Sequence, residues 1–460
     1  MDSINVNELR FRGATDSETI QNAIDYAEKT GLGRVTIPRH NERTGENIWI
    51  IEKTILLPSQ MTVVIEDAHL RLADGVFENI FRNRNCRTPL GNTMEGEQFG
   101  INILGTGNAL LDGGEHNGLT EQMHRDNPEK YPKLSINLLI FFHNVRNFRI
   151  EGLRLIESRW WAICCVFCRW GHISDLDFEM HATHENQDGV DLRVGCEFIT
   201  IENITGITGD DTVALTALPL DDLVPETELA VEGKQVHIHD VTIRNIRSAA
   251  HGCSLLRFLN EDCAQIYNIT VDGLYDTGEA ISGAPIFFGV TGTNFVKKRA
   301  HIMGEYRNVT IRNVYAKSQR GIAISEPVQD LLIENVNLDV NTEVGIRFTK
   351  NFVAKNVVIR DVTVRSSEGK LNTLFWVTPE DPEALKGLTI ENVHADAPKY
   401  LFRQHRCEVR GLDCEAPTEG EFTPDNITLE SAYGRYHRCA YGKVIENRPK
   451  DNRIDGTIKK

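Results

Sequence analysis

The 460-residue sequence predicts an all-β chain, a single-domain right-handed parallel β-helix with an N-terminal capping helix. Three observations predict it. A short unit returns again and again in one phase, its β-branched and polar residues alternate with a period of two, and one amphipathic helical stretch precedes the repeats.

The helical stretch comes first. In TDSETIQNAIDYAEKTG (15–31), Ile20, Ala23, Ile24 and Ala27 recur at helical spacing. Asp16 or Ser17 suits the N-cap and Gly31 the C-terminal stop, so a helix is expected over about 16–30. Such a helix would cover the open end of a solenoid, whose unpaired strand edges otherwise invite aggregation. Short strands are expected next at Val35–Ile37 and Ile48–Ile51.

The repeat unit then appears as FRIEGL (148–153), HISDLD (172–177), ITIENI (199–204), VTIRNI (241–246), ITVDGL (269–274), VTIRNV (309–314), LLIENV (331–336), VVIRDV (357–362) and LTIENV (388–393). Successive final aliphatics lie from about 22 to 42 residues apart, the shortest interval being one bare coil and the longer ones coils with loop insertions. Alternating Val/Ile with polar residues marks strands with one buried face. Asn, Asp or Gly before the final aliphatic suits the turn between two strands of a coil. A β-sandwich would not repeat the same unit in the same phase, and an apolar period of two excludes a heptad array.

The β-helix is expected over 1–414, with 415–460, where the repeat is lost, as a capping or fold-back segment. The polar stretches 114–136, 217–235 and 291–304 fall between coils, where insertions wall a substrate cleft.

A formal net charge of −16 argues against a nucleic-acid backbone or an anionic membrane as the main partner. No apolar run is long enough to span a bilayer. MDSINVNELRFRG lacks the apolar core of a secretory signal, and most of the ten cysteines sit in apolar strand-like runs, so reduced thiols and a cytoplasmic location are expected. Cys165 and Cys168 have CxxC spacing, but they lie inside an apolar run without a second such pair. Buried thiols are the reading favoured over metal or redox chemistry. No cofactor and no metal site are implied.

The chemistry concentrates in NQDGVD (186–191) and GITGDD (206–211). Twenty-two residues separate Asp188 from Asp210, about one coil, so Asp188, Asp210 and Asp211 are expected to stack at one patch of a sheet. Strands of neighbouring coils lie ~4.8 Å apart. Carboxylates that close cannot all ionise freely, and the retained proton is what a general acid needs near neutral pH.

At this point the chain resembles glycoside hydrolase family 28, the polygalacturonase-like enzymes, as a divergent relative. The resemblance runs over about residues 10–400 and is carried by ordered motifs: ATDSETIQNAIDYA with GRVTIP, GTGNALLDGG (105–114), ESRWWAICCVFC (157–168), NQDGVD with Gln187 as its one change, GDDTVAL (209–215), and AHG (250–252) with Ala250 in the first position. It implies Asp210 as general acid, Asp188 and Asp211 holding and deprotonating a water, and His251 assisting them. The family's Arg-Ile-Lys pair, which binds a uronate carboxylate, is replaced in SGAPIFFGV (282–290) by Pro285 and Phe287. The lysine after the Asp pair is replaced by Leu215-Thr216. An apolar wall suits a neutral or deoxy sugar face. Arg257, Arg193 or Lys297-Lys298-Arg299 would restore an anion site, and strict alternation would put Arg257 on the face of His251.

Asn186 completes the substrate-binding set, and Trp161 or Trp160 offers a sugar-stacking ring, only one of which alternation lets point outward. Asp191 is read as holding the turn. The expected function is an inverting, exo-acting glycoside hydrolase on a pectin-like or other plant-type oligosaccharide. The alternatives are a lyase or epimerase with an arginine base, and a non-catalytic glycan-binding solenoid.

Overall fold

The computed structural model describes residues 3–219, 229–261, 263–289, 302–341, 344–349, 351–371, 373–377, 382–385 and 387–395, and the backbone strands Tyr400–Gln404, Asn426–Ser431, Gly434–Ala440 and Lys443–Asn447. The insertion cations Lys297, Lys298 and Arg299, part of the 217–235 insertion and much of 415–460 lie outside them. Two compact units divide the chain, Met1–Thr242 and Ile243–Lys460.

In the first unit, alternation builds two parallel sheets whose inward residues stack coil on coil. One sheet aligns Val35, Val63, Ile103, Ile150, Ile173 and Ile201, strand beside strand. The other aligns Ile55, Phe81, Ile140, Ile163, Val190 and Val213. All twelve are fully buried, and each contributes about 1.5–3 kcal/mol by leaving water. The second unit repeats the arrangement, aligning Val271, Ile311, Ile333, Ile359 and Ile390 in one sheet. In its other sheet Phe258 and Phe288 stack with ring centroids 4.1 Å apart. These are the coils of a parallel β-helix.

The residue before the final aliphatic does in every unit what its type allows. Gly152, Asp175, Asn203, Asn245, Gly273, Asn313, Asn335, Asp361 and Asn392 all have positive φ, the left-handed conformation that Gly, Asn and Asp tolerate best. Many also bond along the solenoid. The Asn203 amide donates to Asp175 (3.0 Å), Asn335 to Asn313 (2.6 Å) and Asn392 to Asp361 (2.6 Å). The turn is thus a bend within long strands such as Val328–Val340, not a break between two.

The helix spans Asp16–Thr30 and ends on Gly31, whose φ is 70°. Its N-cap is Thr15, not Asp16 or Ser17: the Thr15 hydroxyl accepts from the Glu18 amide. Asp16 is fully buried instead. It accepts from Asn41, Arg43 and the Ile50 amide, all at 2.8 Å, and so ties the helix to the first coils. Strands follow at Arg34–Pro38 and Trp49–Ile51. At the far end, Asn426–Ser431 pairs parallel with Leu388–Ala395, and Gly434–Ala440 and Lys443–Asn447 then turn antiparallel. No helix among the described residues is long and apolar enough to cross a membrane.

Candidate active site

Two loops of the first unit carry the acids. Each leads into a strand of the same sheet: 181–189 into Val190–Arg193, and 209–212 into Val213–Ala217. The loops are joined backbone to backbone. The amides of Gly209 and Asp210 donate to the Gln187 carbonyl (2.9 and 3.2 Å), and the Gly189 amide donates to the Asp211 carbonyl (3.0 Å). Such an approach leaves no room for side chains at two positions. A Cβ at Gly189 would sit 2.5 Å from the Thr212 carbonyl oxygen, and one at Gly209 2.6 Å from the Gln187 Cβ. The glycines of the two motifs are therefore what lets the acids meet.

Gln187, the one departure in its motif, is fully buried, and its amide donates to the Ser158 carbonyl (2.9 Å). His184 Nε2 reaches the same carbonyl (2.9 Å), and its ring stacks on His116 at 4.2 Å. The loop carrying Asp188 is pinned to the preceding coil by these contacts. Asn186, half-buried with φ 61°, makes the turn into Gln187.

Asp188 is 5% exposed and its Oδ1 has no hydrogen-bond partner. Burial holds its carboxyl well above the usual range, and the charges of Asp210, Asp191 and Asp211 add to this, with Arg193 opposing. Asp210 and Asp211 are half-buried, and their carboxylate oxygens lie within 4.8 Å of each other. The Asp211 amide donates to Asp210 Oδ1 at 2.9 Å. The three expected acids therefore face one another electrostatically.

Asp191 belongs with them, which corrects its reading as a turn holder. It stands on the strand, paired with Cys164 and Ala214, and is 1% exposed. The Thr216 hydroxyl donates to its Oδ1 (3.4 Å), while Oδ2 is unpartnered. Burial again raises its pKa, against Arg193 and with help from Asp211 and Asp210. The missed signal was parity. Asp191 and Arg193 are two apart on one strand and share its outer face.

Arg193 is itself buried and lies 4.5 Å over the Trp161 ring. It offsets the acid cluster. Trp160 and Trp161 are both buried, because they sit in a bend ahead of Ile163–Val166, where strand alternation does not apply. Leu119, Leu134 and Leu138 of the 114–138 region, with Leu229 and Val231, join them in a cluster that also includes Phe141, Cys164 and Val166 on the outer side of the sheet. Cys165 and Cys168 are buried thiols: Cys168 Sγ lies 3.4 Å from the Val166 carbonyl, and its hydrogen bond with Cys165, helped by burial, raises the Cys165 pKa.

In the second unit, half-buried His251 occupies the bend ahead of strand Ser254–Asn260, the place in its coil that the acids hold in theirs. Arg257 lies on that strand, 3.9 Å over the Phe287 ring and paired with Phe287 in register. Pro285 is buried, and Leu215 of the first unit points fully inward.

Residues 82–219, which hold both acid loops, match the family model described as glycosyl hydrolases family 28. A probable polygalacturonase of Arabidopsis thaliana, At1g80170, is 24% identical over 245 residues, 50% of this chain. The match spans 49% of that relative's length. Among solved structures, the A-module of the Azotobacter vinelandii mannuronan C-5 epimerase AlgE4 aligns at 14% identity over 89% of this chain and all of its own, with a TM-score of 0.54. Gene product 12 of bacteriophage phi29 aligns at 15% over 87% of this chain and 50% of its own, with a TM-score of 0.59. The structural likenesses show the fold, and the family match bears out the resemblance read from the motifs. Its low identity is that of a divergent relative.

Proposed function

We propose that the chain is an inverting glycoside hydrolase that cleaves an oligosaccharide of pectin-like or other plant type. The observation that carries this is the meeting of Asp188, Asp210 and Asp211 on two joined loops, where burial and the charges of Asp210, Asp191 and Asp211 push the Asp188 carboxyl well above its usual range. Carboxyls gathered so closely share a retained proton, and a shared proton is what acid–base cleavage requires. The proton belongs to the coupled group and not to one member. Asp210 delivers it to the leaving oxygen, while Asp188 and Asp211 hold the attacking water. Inverting hydrolysis needs about 6.5–9.5 Å between acid and base. Asn186 contacts the sugar.

The cluster of Leu119, Leu134, Leu138, Leu229 and Val231 supports exo action, because it covers the outer side of the sheet around Phe141 and Cys164. The buried reduced thiols fit a cytoplasmic setting. Arg257, stacked on Phe287, fits ligand binding better than the free base an epimerase or lyase would use.

The test is proton NMR of the first-formed anomer on a panel of pectic oligosaccharides and aryl glycosides, with Asp210→Asn beside the wild type. An inverted product lost in the variant supports the reading. A retained anomer, an unsaturated product, or unchanged turnover in Asp210→Asn overturns it.

A further inference from the structure

The coils carry a second left-handed residue, five positions ahead of the turn residue of the repeat unit. In six of them it is Asn147, Asp240, Asn268, Asn308, Asp330 or Asn356, with φ between 51° and 56°. Asn and Asp tolerate this conformation best, and here several bond from coil to coil: the Asn308 amide donates to Asn268 and the Asn356 amide to Asp330, both at 2.7 Å. Two coils break the rule. Trp170 and Phe198 hold the same position at φ 52° and 54°, with aromatic rings in place of the amide or carboxylate. A bulky side chain in that conformation is strained.

The two exceptions are neighbours in the first unit. Arg169 pairs with Glu197 and Gly171 with Ile199, so Trp170 and Phe198 stand side by side on adjacent strands. Each is 46% exposed, and their rings lie 6.3 Å apart, 25° from parallel. Charged groups hold both in place. Arg169 packs 4.4 Å over the Trp170 ring and is itself fixed by two 2.8 Å bonds to Glu97. His239 meets the Phe198 ring edge-on at 5.8 Å and is fixed by Glu197 (3.2 Å) and Asp240 (2.7 Å). Backbone strain that serves only to expose two braced rings marks a site. Its size and rim say for what. The exposed ring area is on the order of 200 Å², against roughly 1,000 Å² or more for a specific protein interface. That is the scale of a sugar ring. Glu197 and Asp240 at the rim accept from hydroxyls and repel an anion.

We infer that Trp170 and Phe198 form a non-catalytic binding site for a neutral hexose polysaccharide, the rings taking the apolar sugar surface and Glu197 and Asp240 accepting from its hydroxyls. The site is separate from the acids. The loop 181–189 leads into strand Val190–Arg193 and Phe198 follows that strand, so roughly 13 Å of strand lies between the two. Such a site keeps a polymer attached to the protein between cleavages. It rests on the function proposed above for its carbohydrate class, and on none of the acids.

The strain supplies the test, because restoring the residue type of the row should remove binding without harming the fold. The Asp210→Asn chain, used so that no polymer is cut, is run in native gels containing soluble galactan, soluble polygalacturonate or no polysaccharide. Galactan should retard it, and polygalacturonate should retard it less. Trp170→Asn and Phe198→Asn should each weaken the galactan affinity by about tenfold, while Trp170→Phe, which keeps a ring, should retain most of it. Thermal melts of both asparagine variants should match the parent or lie above it. Absence of retardation by galactan, equal retardation of parent and asparagine variants, or stronger retardation by polygalacturonate overturns the site. So does a lower melting temperature in both asparagine variants, which would make the rings structural, or self-association in sedimentation that Phe198→Asn abolishes, which would make them a protein contact. No turnover is measured, so a failure of the hydrolase reading and a failure of this site are seen separately.

Discussion

Two outer faces built on the same strand geometry carry opposite chemistry. In the first unit, strand Val190–Arg193 sets Asp191 beside Cys164 and Ala214, within a group of carboxyls that burial drives toward protonation. In the second unit, the corresponding outer row sets Arg257 over Phe287 and Arg347 over Trp376. The inward rows of both are alike, aliphatic or aromatic and buried. A parallel solenoid separates scaffold from chemistry by parity: one residue along the strand belongs to the core, the next to the ligand. The acids answer their environment by keeping protons, which arginine cannot readily release.

The largest expected effect tests the acid side. Asp188→Asn or Asp210→Asn should lower kcat by about 10²–10⁴ while leaving the melting temperature near that of the wild type or above it, which steady-state kinetics and a thermal melt would show together. A fall in stability instead of activity would make the acids structural and dissolve the contrast.

Arg159 gives the next. It is a fully buried cation whose terminal nitrogens have protein partners: they donate to the carbonyls of Val76 and Ala73 at 2.6 Å, and burial brings its pKa down to about 10. Arg159→Met would leave those carbonyls without their donor and should cost about 3 kcal/mol, read from the urea midpoint. Arg347→Met, with no such partners, should cost much less.

Asp191→Asn has a smaller effect, set by pH. The raised pKa means that the folded chain binds a proton the unfolded chain releases above its ordinary value of 3.8. Wild-type stability is thus free of this penalty below 3.8 and loses ground as pH rises through the elevated value. The asparagine variant should melt higher than wild type at pH 7 and alike at pH 3.5, in scans at the two conditions. A gain independent of pH would mean that charge is not the cause.

The smallest effect lies in the scaffold common to both units. Asn335→Ala forfeits the bond to Asn313 and places alanine at φ 54°, for a loss of about 1–2 kcal/mol by denaturant titration. Asn335→Gly should recover the conformational part only.

Much of this was legible before any fold was known. Alternation and the returning Asn, Asp or Gly announce coils, because side-chain parity and left-handed φ are local properties of a residue and its neighbours. The interval from Asp188 to Asp210 marks adjacent coils for the same reason, and the glycines on either side of the junction, Gly189 and Gly209, are visible in the motifs. What the chain alone determined was therefore periodic: strands, turns and the meeting of three acids. Tertiary structure decided whatever depends on who lies across the sheet. It drew Asp191 into the acid group, sealed Trp160 and Trp161, gave the N-cap to Thr15 so that Asp16 could lock the first coils, and set Arg347 on Trp376. Insertion lengths differ from coil to coil, so the partners of an outer-face residue are set by register and by loops that fold back from afar, and neither is written in its own neighbourhood.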